Sequence, residues 1–161
     1  MNQPDRLQAL RQSKLAAELS EQQCRVLAEH VALRDLADGE ILVREGDADD
    51  HLYVITRGTL CVVKNAGSGD EVSFFTLGAG EFADELSFMD GSTHYASLVA
   101  RGGTQVLGIE RGRLESLLEV DPAIVYKVMR AIVRAVHQIQ KQLSMHSVEL
   151  TNYIYKVHGR Y

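Results

Sequence analysis

The sequence predicts a mainly β chain with flanking helices, and three observations carry that prediction. From Arg34 to Glu110, short apolar runs alternate with Gly- and Asp-containing turns roughly every 8–12 residues, the spacing of an all-β unit. Two short stretches with helical spacing of leucine precede it. A long stretch with one continuous apolar stripe follows it, opened by Asp121-Pro122. At 161 residues with 45% hydrophobic content, the chain is long enough for one domain with a real core.

The elements follow in order. Leu7, Leu10 and Leu15 recur at near-helical spacing and predict a short helix over residues 5–17. Ser20 is a favourable N-cap, and Gln23 three residues on completes a capping box. The helix that starts there is predicted to run from Glu21 to about Ala32, with Val26, Leu27 and Val31 inward. Strands are predicted at 40–44, 51–56, 59–64, 71–77, 95–100 and 104–110. The run NAGSGD at 65–70 supplies two glycines for a hairpin loop. The segment 77–94 is too long for a plain hairpin, and loops of that length usually carry function. Within it, ADELSFM suits one or two helical turns.

Residues 113–118 predict another short helix. Asp121 then caps a long helix with Pro122 at its first position. Val125, Val128, Ile132, Val136, Ile139 and Leu143 follow at spacings of 3, 4, 4, 3 and 4, a seam of coiled-coil type. From 122 to 146 such a helix spans roughly 37 Å at 1.5 Å per residue, more than a small β domain needs. The seam is therefore expected to pair with a second copy of the chain. The tail TNYIYKVHGRY carries three tyrosines and is assigned no structure. The domain plan is residues 1–33 for N-terminal helices, 34–112 for the β unit, 113–150 for C-terminal helices and 151–161 for the tail.

Composition narrows the function classes. A net charge of −5 gives no basic footprint for nucleic acid. Cys24 and Cys61 form no CxxC pair and read as buried or free thiols in a reducing compartment. The polar N-terminus shows no signal peptide, and no apolar run approaches the ~20 residues of a membrane span, so a cytoplasmic location is expected. The six histidines at 30, 51, 94, 137, 146 and 158 include no His-x-His, so no metal site is expected. No nucleophile–base pair can be named either, and an enzyme is not expected.

Specific motifs add a resemblance. DGEILVREGDADDHLYVITRGTLCVV (38–63), GEFADELSFMDGSTHYASLVA (80–100) and VLGIERGRLESLLEVDP (106–122), with turn glycines at Gly46 and Gly58, resemble the cyclic-nucleotide-binding domain family. The similarity covers about residues 15–145 and is nearest to bacterial regulators of the catabolite-activator type. It implies a double-stranded β-helix, a jelly-roll-like β-roll, with a phosphate-binding-type cassette at 80–97 and a long C-terminal dimerisation helix. It also implies cAMP or cGMP as ligand, and a pocket remade for a different ligand stays open beside that. In that group a helix-turn-helix follows the long helix. Only about 15 residues follow Met145 here, so direct DNA binding is not expected and output is expected to run through a partner protein.

The resemblance places the ligand site on Phe82, Asp84, Glu85, Leu86, His94, Tyr95, Ala96 and Ser97. Glu85 and Leu86 match the family's Glu-Leu pair, Glu85 being the acceptor for the ribose hydroxyl. Phe82 matches the preceding aromatic. Ala96 and Ser97 match the small residue and hydroxyl that close the cassette, with Ser for the more usual Thr. Base contacts in the family come from the long helix, where Gln138, Gln140 and Gln142 stand and can present donor and acceptor together.

Two positions depart from the pattern. His94 stands where the family keeps its phosphate arginine, and Asp84 where it keeps a glycine. Losing a charge-assisted pair costs on the order of 1.5–3 kcal/mol. A carboxylate near the phosphate adds roughly 1 kcal/mol. Together they weaken cyclic nucleotide binding by about a hundredfold or more. An imidazolium at 94 would serve a phosphate only at acid pH, and Arg101 is the next arginine within range. Two functions follow: a sensor with weak or absent cyclic nucleotide binding that signals through its dimer helix, or a ligand-free dimeric scaffold. The second predicts a pocket closed by its own side chains.

Overall fold

A computed structural model describes residues 3–158, with side chains over 5–149. The elements are α1 (Gln3–Gln12), a 3-10 turn (Lys14–Ala16), α2 (Glu21–Ala28), β1 (Val31–Leu36), β2 (Ile41–Val43), β3 (His51–Lys64), β4 (Val72–Gly78), β5 (Phe82–Ala83), α3 (Glu85–Asp90), β6 (Ser97–Glu110), α4 (Arg111–Ser116), a second 3-10 turn (Leu117–Glu119) and α5 (Pro122–His158). The strands form one six-stranded antiparallel sheet in the order β1-β6-β3-β4, with β2 also on β6 and β5 also on β3. This is the predicted mainly β fold with flanking helices, the β-roll followed by a long helix.

Two of the predicted strand pairs are single bent strands. Residues 51–56 and 59–64 join as β3, and 95–100 and 104–110 join, with a later start, as β6. Their register slips between Ile55 and Thr59. Gly58 sits at that slip with φ +83°, and a Cβ there would fall 2.6 Å from Gly103 O. Only glycine fits a left-handed residue under so close a strand. The slip also flips the face that β3 turns inward. Tyr53 and Ile55 precede it, Leu60 and Val62 follow it, and all four line the same interior with Leu98, Ala100 and Val106. A one-residue offset reverses side-chain parity, and the bulge does that here.

The other faces of β3 and β6 carry Leu52, Val54, Leu107 and Ile109 into a second core with the helices. Leu10, Leu15, Leu27, Leu114, Leu117, Ile124, Val128 and Ile132 complete it. The capping box at Ser20 forms as the sequence predicts, with Gln23 N donating to Ser20 Oγ and Ser20 N to Gln23 Oε1, each at 3.2 Å.

Several boundaries differ from expectation. The first helix breaks at Ser13, whose hydroxyl donates to Leu10 O at 2.7 Å and competes with the helical ladder. The second ends at Ala28, and Val31 belongs to a strand, β1, that pairs with β6 from Val31–Ile109 to Leu36–Thr104. The helix predicted at 113–118 begins at Arg111 and tightens to a 3-10 turn at Leu117. Asp121 caps α5 by accepting from Ala123 N at 3.1 Å. That helix continues past 146 through His158, so residues 151–158 of the tail are helical in backbone, while 159–161 lie outside the described residues.

The seam on α5 needs the largest correction. Val128 and Ile132 are buried in their own chain's core, beside Ile124, and Val125 packs against that core. They are not free to face a second copy. Ala135 is the furthest residue along α5 that packs on the core. Beyond Val136, which is half-buried, every described side chain from His137 to Glu149 is exposed, Ile139 and Leu143 among them. Among the described residues, no helix is long and apolar enough to cross a membrane.

Candidate functional site

The cassette starts where β5 leaves the sheet. Phe82 and Ala83 pair with Val54 and Tyr53 of β3 and bury their side chains on opposite faces. The chain then turns at Asp84, which sits in the left-handed region at φ 72° and ψ 24°. Glycine adopts that conformation freely, and aspartate is among the few other residues that tolerate it. Helix α3 follows with Glu85 in its first turn and ends at Gly91, also left-handed. Arg111 secures the far end of α3. Its Nε donates to Phe88 O at 2.7 Å and its Nη2 to Ser87 O at 3.1 Å, while the guanidinium lies over the Phe88 ring.

The return segment is pinned by backbone bonds. Gly46 N donates to His94 O at 2.8 Å, and His94 N donates to Asp47 O at 3.0 Å. Ser97 Oγ accepts from Glu45 N at 2.9 Å. Glu45 in turn pairs with Lys64 at 2.6 Å and accepts from Asn65 N, and these partners hold its carboxyl below the usual range. The loop 44–47 thus fixes His94 in one place.

His94 Nδ1 lies 2.7 Å from Asp84 Oδ1, with both side chains buried. The two departures from the family pattern therefore meet each other. Burial pushes the Asp84 carboxyl up to about 6, against the opposing pull of the His94 charge and the nearby Ser87 hydroxyl. Asp49 lies close by. It accepts from His51 N at 3.1 Å and from the Tyr53 hydroxyl at 2.8 Å, and the His51 ring is 2.8 Å from its Oδ1. Burial raises the Tyr53 hydroxyl well above its ordinary value, with Asp49 adding to the effect. Burial works against ionisation of Asp49 as well, but the bonds from Tyr53 and His51 outweigh it and hold Asp49 low.

The other residues expected in the site divide clearly. Ala96 and Ser97 are buried, and Glu85 is half-buried with its carboxyl pushed up by burial. Leu86 and Tyr95 are 61% and 63% exposed, so they line no closed pocket. Arg101 pairs with Glu71 at the start of the β4 hairpin and is not directed to the cassette. Gln138 is exposed on α5 beyond the part of that helix packed on the core, and the fold does not bring it to its own chain's cassette. Glu45, Asp49, Tyr53 and Arg111 were not expected. The acidic run Asp47–Asp50 ahead of β3 was the visible signal for Asp49. Nothing in the spacing marked the others.

The family model described as "Cyclic nucleotide-binding domain" matches residues 33–121. A cyclic nucleotide-binding domain from Methylobacillus flagellatus is similar in structure with a TM-score of 0.73, 25% identity, and coverage of 87% of this chain and 79% of that one. The regulatory subunit of a cAMP-independent protein kinase A from Trypanosoma brucei aligns with a TM-score of 0.70 and 20% identity over 90% of this chain and 49% of that one. The cyclic AMP receptor protein of Thermus thermophilus is 25% identical over 111 residues, 69% of this chain and 51% of that protein. The chain spans between 6% and about half the length of these and other curated relatives.

Proposed function

The chain belongs to the cyclic nucleotide-binding domain family, and on that premise we propose that it is a non-enzymatic regulatory module whose phosphate position is held by its own side chains. In this reading it binds cAMP or cGMP weakly or not at all, dimerises through the exposed part of α5, and acts in the cytoplasm through a partner protein. The carrying observation is the buried 2.7 Å contact between His94 and Asp84. An incoming phosphate would have to break that pair and then face the Asp84 carboxylate. Both costs oppose binding, and neither is offset by a guanidinium. The T. brucei protein of similar fold is the regulatory subunit of a cAMP-independent protein kinase A.

The dimer reading rests on α5. Its 37 residues span about 55 Å at 1.5 Å per residue, and the described side chains beyond Val136 touch no core of their own. Isolated helices are marginal in water, and a stripe of Ile139 and Leu143 is stabilised by a facing copy. The fold leaves Val136, Ile139 and Leu143 of the predicted seam for that role. Isothermal calorimetry with cAMP and cGMP tests the ligand reading. Little or no heat at millimolar nucleotide supports it, and tight binding refutes it.

A further inference from the structure

Three separate segments bring metal-ligating side chains together beside the cassette. Asp49 comes from the loop before β3, Asp84 from the turn before α3 and His94 from the loop before β6. One ligand atom from each lies within 4.8 Å of the other two. Asp49 also belongs to a second such group with Asp50 and His51. The Asp84 and His94 side chains are 7% and 3% exposed; they pair through Oδ1 and Nδ1, and their other polar atoms, Oδ2 of Asp84 near the Ser87 hydroxyl and Nε2 of His94 across the ring from that pair, are buried without a hydrogen bond. Buried polar atoms in native proteins nearly always have partners. Two carboxylates this close also repel, and a single imidazole does not neutralise both.

We propose that Asp49, Asp84 and His94 bind a divalent transition-metal cation, Zn2+ or Mn2+, where the family holds a phosphate. One imidazole nitrogen with two carboxylates suits those ions, whereas Mg2+ and Ca2+ favour all-oxygen sets. The surroundings fit a ligating Asp49. Its two oxygens are oriented by Tyr53 and by His51, as outer partners orient metal-bound carboxylates. The sequence showed no metal spacing because the three ligands lie 35 and 10 residues apart and meet only through the fold. The inference rests on the preceding reading in taking Asp84 and His94 as a fixed pair that excludes the nucleotide phosphate.

The test is calorimetric titration of the full chain, stripped with chelator, with ZnCl2 and MnCl2, and with MgCl2 as control. We expect one Zn2+ or Mn2+ per chain and little response to Mg2+. His94→Gln and Asp84→Asn each weaken the affinity by at least about tenfold to a hundredfold. His137→Gln, which alters an exposed histidine of α5, leaves it unchanged. If either buried variant fails to fold by circular dichroism, Asp49→Asn carries the same expectation. The proposal is overturned if the wild type binds neither Zn2+ nor Mn2+, or if binding survives in the folded cassette variants. Tight cAMP binding by the metal-free wild type would defeat the preceding reading, whereas absence of both ligands would defeat only this one.

Discussion

Replacing His94 by alanine leaves a buried carboxyl, Asp84, without the imidazole that pairs with it. In the intact protein the two side chains are 7% and 3% exposed and 2.7 Å apart. Removing one partner of a buried pair costs about 3–5 kcal/mol. Asp84 escapes part of that penalty by taking a proton, since burial already holds its carboxyl near 6. The lower end, about 3 kcal/mol, is therefore expected at neutral pH. For a chain of this length about 1 kcal/mol shifts Tm by about 2–4 °C, so His94→Ala should melt about 6–12 °C below wild type. The double variant Asp84→Gly/His94→Ala removes the orphaned carboxyl and places glycine at a left-handed position. It should recover about 2 kcal/mol relative to His94→Ala. The assay is thermal and urea unfolding in chelator-containing buffer. A His94→Ala protein within about 0.5 kcal/mol of wild type would rule out a stabilising His94–Asp84 pair, as would a double variant no more stable than the single one.

Other expectations follow from the same structure. Ile139→Asp/Leu143→Asp should convert a dimer to a folded monomer in light scattering; a variant that stays dimeric would rule out this stretch of α5 as the interface. Ile132→Asp should instead unfold the chain, since Ile132 lies in its own core. Gly58→Ala should cost more than about 2 kcal/mol, because it combines φ +83° with a 2.6 Å clash against backbone, and a smaller loss in denaturant melts would show that the bulge relaxes.

Much of the fold was legible because strand spacing and turn glycines are local signals. The missed strand β1 shows where that stops. In Val31–Leu36 only the two end residues are buried, so there is no alternation to detect, and pairing with β6 makes the strand. The seam on α5 failed for a different reason. Helical spacing shows that a stripe exists but not what covers it. Ile124, Val128 and Ile132 at steps of four face the home core, and the stripe then passes to Ile139 and Leu143, which that core does not reach. In the cassette, the resemblance assigned motif positions to Phe82, Asp84, Glu85, Leu86 and His94 to Ser97. Sequence did not reveal that Asp84 and His94 touch, because that contact depends on the loop 44–47 gripping the His94 backbone. Two substitutions that each oppose an anion on paper thereby become one internal pair.

If the Asp84–His94 pair occupies the phosphate position, exchanging it for the family's residues reopens the cassette. Calorimetry of cAMP against wild type and against Asp84→Gly/His94→Arg, in chelator-containing buffer, compares a closed with a reopened cassette that keeps Glu85 and Ser97. The double variant should gain about a hundredfold or more in affinity, since about 1.4 kcal/mol is tenfold. Equal affinities, or tighter binding by wild type, would contradict it.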